Sequence, residues 1–136
     1  MEKYPNYKEW VLEQNIDIQT QLQHKAIVSI DGNTACWDRV VWVLNSNSVL
    51  FREKSNYICW YYPLLQKDVH YKEFSIDDEN WVVNLENEIT NITPESAEFI
   101  IGNANNFVKE YLTPVGHAHY FMSVLDKYKN RTVVFV

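Results

Sequence analysis

Apolar positions along the chain fall into bursts, and their spacing sets the first expectations. Trp37 with Val40 to Leu44, Val49 to Phe51, and Tyr57 to Tyr62 form three such bursts, separated by Asn45-Ser46-Asn47-Ser48 and by Arg52 to Asn56. The first and third are apolar at successive positions, as in a strand covered on both faces. They read as a buried three-stranded meander that carries Trp37, Trp42 and Trp60.

Upstream, Asn6 with Glu9 three residues later marks a short helix that places Tyr7, Trp10 and Val11 on one face. From Ile16 the apolar residues move to even positions through Ile18, Leu22, Ala26, Val28 and Ile30, a strand period broken near His24 and Lys25. Continuing the first helix through Val11, Gln14, Ile18 and Leu22 accounts for fewer positions. Asp31-Gly32-Asn33 signals a tight turn, because Gly and Asn tolerate positive φ.

Beyond Pro63, the segment Val69 to Ile76 and the alternation Trp81, Val83, Leu85 read as a hairpin, with Asp77-Asp78-Glu79-Asn80 as its acidic loop. Thr93-Pro94-Glu95 then gives a hydroxyl cap, a proline at the first helical position and an acid in the first turn. The helix it opens repeats apolar residues at three- and four-residue intervals from Ala97 to Leu112. Gly102 within it suggests close packing on the sheet. Thr113-Pro114 opens a second helix with a stripe through Val115, Ala118, Phe121 or Met122, and Leu125, ending at Asn130. Thr132 to Val136 reads as a terminal strand.

The sum is one α+β domain over residues 1–136. It combines a mostly antiparallel sheet of about six to seven strands with a short N-terminal helix and two C-terminal helices packed on one face.

Composition narrows the function classes. The chain of 136 residues is 46% hydrophobic and 15% aromatic, which excludes disorder. Eighteen acidic against twelve basic residues give a formal charge of -6, which disfavours nucleic acid and favours a basic protein partner. Cys36 and Cys59 lie in apolar runs and are expected to be reduced. Without an apolar run near the roughly 20 residues a membrane helix needs, and with a polar N-terminus, the expected location is cytoplasmic.

Candidate chemistry is sparse. His117 and His119 diverge on a helix and have no Cys or carboxylate cluster beside them, so no metal site is expected. There is no nucleophile elbow and no glycine-rich phosphate loop, so neither a catalytic constellation nor a cofactor site is expected. Asn91-Ile92-Thr93 matches the glycosylation pattern, but Thr93 is better explained as a helix cap.

The remaining candidate surface is the acidic hairpin. Asp77, Asp78, Glu79, Glu86 and Glu88 would form a charged rim around the aromatic anchor Trp81. The favoured reading is a non-catalytic binding module, a small acidic bacterial immunity or inhibitor protein that neutralises a basic toxin such as a nuclease. The alternative is a small-molecule binder or enzyme with an aromatic pocket between sheet and helices, with His70, His119 or an inward-pointing acid as the polar group. An accessory domain of a phage or mobile element is a third.

Overall fold

Three strands pair in parallel in the order β1-β2-β3: β1 (Ala26–Ser29), β2 (Val49–Glu53) and β3 (Lys72–Phe74). These come from a computed structural model, which describes residues 15–129 and 131. Among the described residues five α-helices accompany the strands: α1 (Ile18–Gln21), α2 (Trp37–Leu44), α3 (Trp81–Asn91), α4 (Pro94–Tyr111) and α5 (Pro114–Lys129). A 3-10 turn spans Tyr62–Leu64.

The expected antiparallel sheet of six to seven strands is therefore wrong in direction and size. Parallel strands need crossovers, and α2 is the crossover between β1 and β2. Register pairs Ile27 with Leu50, Ser29 with Arg52, and Arg52 with Glu73. Both faces are covered, as parallel sheets require. On one face Ile27, Leu50 and Tyr71 pack with Val40, Val43 and Leu44 of α2 and with Phe107 and Val108 of α4. On the other, Val49, Phe51 and Phe74 pack with Leu85 of α3 and with Ala97 and Ile100 of α4. Val40, Val43, Val49 and Phe51 are wholly buried.

The expected three-stranded meander does not form. Its middle burst is β2, but the first burst is α2, in which Val40, Val43 and Leu44 face the core at helical spacing while Trp37 is 69% exposed. A short run of successive apolar residues does not distinguish a covered strand from a buried helix. The third burst is a loop ending in the 3-10 turn, with Tyr61 and Tyr62 buried and Ile58 exposed.

The hairpin does not form either. Residues after Asn80 wind into α3, where Trp81, Leu85 and Ile89 face inward at four-residue steps and Val83 is exposed. The even-position run is a strand only at β1. Ahead of it, Asp17 caps α1 by accepting from the Thr20 N–H and hydroxyl, both at 2.9 Å.

The boundary at Thr93 is as read from sequence: its side chain accepts from the Ser96 N–H at 3.2 Å, with Pro94 in the first turn. Gly102, however, has open space around it. Close approach occurs at Gly116, where an added Cβ would overlap the carbonyl groups of Glu110 and Tyr111. There α5 turns back on α4. Most of the rest of α5 is exposed, including Val115, Phe121, Met122 and Leu125, so its apolar stripe does not rest on the sheet. The expected N-terminal helix at Asn6 to Val11 and strand at Thr132 to Val136 lie outside the described residues.

Candidate functional site

In an open parallel sheet the loops leaving the carboxyl ends of the strands gather on one edge, where such folds bind their ligands. Here the loops after β1, β2 and β3 line one cleft of about 630 Å³. Its walls include Asp31 and Gly32 after β1, Glu53 to Tyr57 at and after β2, and Ile76 and Asp77 after β3.

Hydrogen bonds to carboxylates hold the first two loops. Glu53, 8% exposed, accepts from the Asp31 N–H through Oε2 at 2.9 Å, joining the ends of β1 and β2. Asp31 in turn accepts from the Cys36 N–H through Oδ1 at 2.7 Å, which fixes the start of α2. The tight turn expected at Asp31-Gly32-Asn33 does not form: the chain bends at Asn33–Thr34, Gly32 does not take positive φ, and the Asp31 side chain shapes the loop instead. The second carboxylate oxygen of Asp31 is buried with no hydrogen-bond partner among the described residues.

Three more buried polar atoms lack partners among the described residues: Ser29 Oγ, Arg52 Nε and Tyr62 OH. Natural proteins satisfy nearly all such atoms, so their gathering toward one edge of the sheet marks it chemically. Burial is the main cause that raises the Tyr61 and Tyr62 hydroxyls far above the usual tyrosine value, so both stay neutral.

The residues singled out in the sequence are dispersed. Asp77 lines the cleft. Asp78 organises the start of α3, accepting from the Asn80 N–H and from Asn84 Nδ2, both at 2.8 Å. Trp81 stacks on Phe74, with ring centroids 5.9 Å apart and planes 18° from parallel. Glu79 and Glu86 are exposed, and Glu88 lines a separate cavity of about 450 Å³ beside Lys67 and Lys72. Asp31 and Glu53 were missed; the available signal was an acidic residue within two positions of the end of an apolar run, Asp31 after Ile30 and Glu53 after Phe51-Arg52.

Histidines are equally scattered. The His117 ring meets Trp60 edge-on at 5.2 Å, and His119 lines a small cavity beside Tyr111 and Tyr120. His70 Nδ1 accepts from the Gln66 N–H at 2.9 Å, and burial lowers its pKa. Among the described residues no group of three His, Cys, Asp or Glu is placed to hold a metal ion. Cys36 and Cys59 are free and half-buried. No described helix is long and apolar enough to cross a membrane.

Comparison with known proteins gives this edge a context. Over 116 residues the chain is 29% identical to the O-glucosyltransferase LpsA of Dichelobacter nodosus, an alignment covering 83% of this chain and 35% of that protein. The chain thus spans about a third of the length of that relative. The sequence profile described as Glycosyl transferase family 90 matches residues 4–135. These matches overturn the reading as a non-catalytic immunity protein or toxin inhibitor, which rested on a single compact domain, acidic charge and abundant aromatics without a catalytic constellation, and they point instead to a family of glycosyl transferases. With nearly its whole length matched, the chain belongs to Glycosyl transferase family 90.

Proposed function

We propose that this chain is the donor-holding part of a sugar-transferring enzyme, and that its carboxyl-edge cleft takes a sugar nucleotide. The observation that carries the reading is the convergence of three post-strand loops on one cleft in an all-parallel sheet. Family membership supports it, since glycosyl transfer needs an activated donor.

The carboxylates at this edge suit the hydroxyl-rich part of such a ligand. Asp31 Oδ2 and Asp77 are acceptors for ribose or sugar hydroxyls, as an acidic residue serves the ribose in dinucleotide-binding folds. Glu53 acts behind them by holding the Asp31 loop in place. In the reaction an acceptor hydroxyl bonds to the anomeric carbon while the bond from that carbon to the phosphate oxygen breaks. The electron pair leaves with the nucleoside diphosphate, and the hydroxyl proton goes to a base. This chain's share is to orient the anomeric carbon and its leaving group. The free thiols of Cys36 and Cys59 and a nucleotide donor suit a cytoplasmic setting.

Equilibrium titration with a panel of nucleoside diphosphate glucoses tests the reading. At least one should bind, and Asp31→Asn should weaken it about tenfold, the value of one hydrogen bond to a charged group. Absence of binding by every member at millimolar concentration would reject the proposal.

A further inference from the structure

Alternation along the strands puts Ser29, Arg52 and Glu73 side by side on one face of the sheet, as the last row before the carboxyl edge. The preceding row on that face is Ile27, Leu50 and Tyr71, so apolar packing stops and a polar row begins one step from the edge. Arg52 is 93% buried (7% exposed), and its guanidinium carbon lies over the Tyr62 ring, 4.0 Å from the centroid, and 5.4 Å from that of Tyr71. A buried guanidinium ordinarily pairs with a carboxylate.

Arg52 does not. The ion pairs among the described residues join Lys67 to Glu73 at 3.8 Å and Lys72 to Asp68 at 2.7 Å, so Glu73 is engaged by Lys67 and by the Tyr71 hydroxyl. Arg52 Nε, Ser29 Oγ and Tyr62 OH are all buried hydrogen-bonding atoms with no partner among the described residues. The two aromatic rings fix the orientation of the fork without consuming its N–H donors. The start of α2 lies against the same cluster, because the Tyr61 hydroxyl, on the residue before Tyr62, donates to the Trp37 carbonyl at 3.0 Å. The helix is eight residues long, and its N-cap, Cys36, provides no side-chain cap.

We infer that Arg52, with Ser29 and Tyr62, is an anion-recognition position that receives a phosphate group of the donor. The inference rests on the proposed donor site and divides its labour. Carboxylates of the cleft take hydroxyls, and this row on the helix α2 face takes the charge that the carboxylates would repel. Because the diphosphate is also the leaving group, Arg52 is placed to stabilise negative charge as the anomeric bond breaks. The residue is hard to see in sequence, since Arg52 stands between apolar Phe51 and acidic Glu53 and reads as the start of a polar loop.

The test titrates the whole chain with inorganic pyrophosphate, with inorganic phosphate and with the sugar nucleotide that binds best. Three variants are compared: Arg52→Met, which retains most of the side-chain volume over the two rings, Arg52→Lys and Ser29→Ala. Circular dichroism and thermal melts confirm that each remains folded. Pyrophosphate should bind the parent chain more tightly than phosphate. Arg52→Met should weaken pyrophosphate and sugar nucleotide alike by about 10- to 100-fold, the range for losing bonds between charged groups. Arg52→Lys should recover only part, because an ammonium cannot make the fork. If the parent binds the sugar nucleotide and Arg52→Met and Ser29→Ala bind it as tightly, the anion role is wrong and the donor site stands. If the parent binds pyrophosphate with loss in Arg52→Met but no sugar nucleotide, the anion site stands and the donor reading fails.

Discussion

Replacing Glu53 by Ala removes the acceptor that ties the first loop to the second strand, and its cost can be worked from the structure. The lost contact is a 2.9 Å bond from the Asp31 N–H to a carboxylate that is 8% exposed. A hydrogen bond to a charged group contributes about 1.5–3 kcal/mol, so about 2 kcal/mol is expected. At an unfolding entropy of roughly 2.1 cal/mol/K per residue, a chain of this length loses about 7 °C in melting temperature. Glu53→Gln keeps an oxygen in the same place without the charge and should lose about half as much. Two assays read the effect: thermal melts followed by circular dichroism, and amide exchange at Asp31, which should speed by about 30-fold if opening of the loop becomes 2 kcal/mol easier. A Glu53→Ala variant that melts within about 1 °C of the parent, with unchanged exchange at Asp31, would refute the role given to this bond.

Three other perturbations probe the scaffold. Asn105 Nδ2 donates to the carbonyls of Leu44 at 3.1 Å and Ser46 at 2.9 Å, closing the C-terminal end of α2 from α4; Asn105→Ala should cost about 2 kcal/mol in urea unfolding, and Asn105→Asp more, because a carboxylate would face two carbonyl oxygens. Gly116→Ala should destabilise by about 1–3 kcal/mol through overlap with the backbone at Glu110 and Tyr111, whereas Gly102→Ala, in open space within the same helical pair, should stabilise by about 0.5–1 kcal/mol. His70 is held below its ordinary value of 6.5 by burial, so the folded state favours neutral imidazole and its contribution is present above pH 6.5 and lost as the pH falls from there toward the folded value; urea midpoints should drop between pH 7 and 5.5 more steeply for the parent than for His70→Gln, and equal slopes would contradict the assignment.

The elements that were legible in the sequence are those whose signals are local. Thr93-Pro94 and Thr113-Pro114 mark helix starts by capping chemistry, which needs nothing from the rest of the fold. What was illegible depends on distant partners. Val40 to Leu44 is compatible with strand or helix until the parallel pairing of β1 and β2 demands a crossover between them. Trp81, Val83 and Leu85 fit a period of two as well as Trp81, Leu85 and Ile89 fit a period of four, and only the exposure of Val83 separates them. The acidic tip drew attention because its charges are consecutive, yet of that group only Asp77 lines the cleft. Asp31 and Glu53, 22 residues apart, become neighbours through strand register, a relation that charge density along the chain does not encode.

The central claim is that the loops after β1, β2 and β3 form the ligand site. Backbone amide shifts recorded by NMR during titration with the best-binding nucleoside diphosphate glucose test it most directly. The largest changes should fall at Asp31 to Cys36, Glu53 to Tyr57 and Ile76 to Asp77, with α5 unaffected. Changes centred instead on Lys67, Lys72 and Glu88, or on Tyr111, His119 and Tyr120, would place the ligand in another cavity and contradict the account.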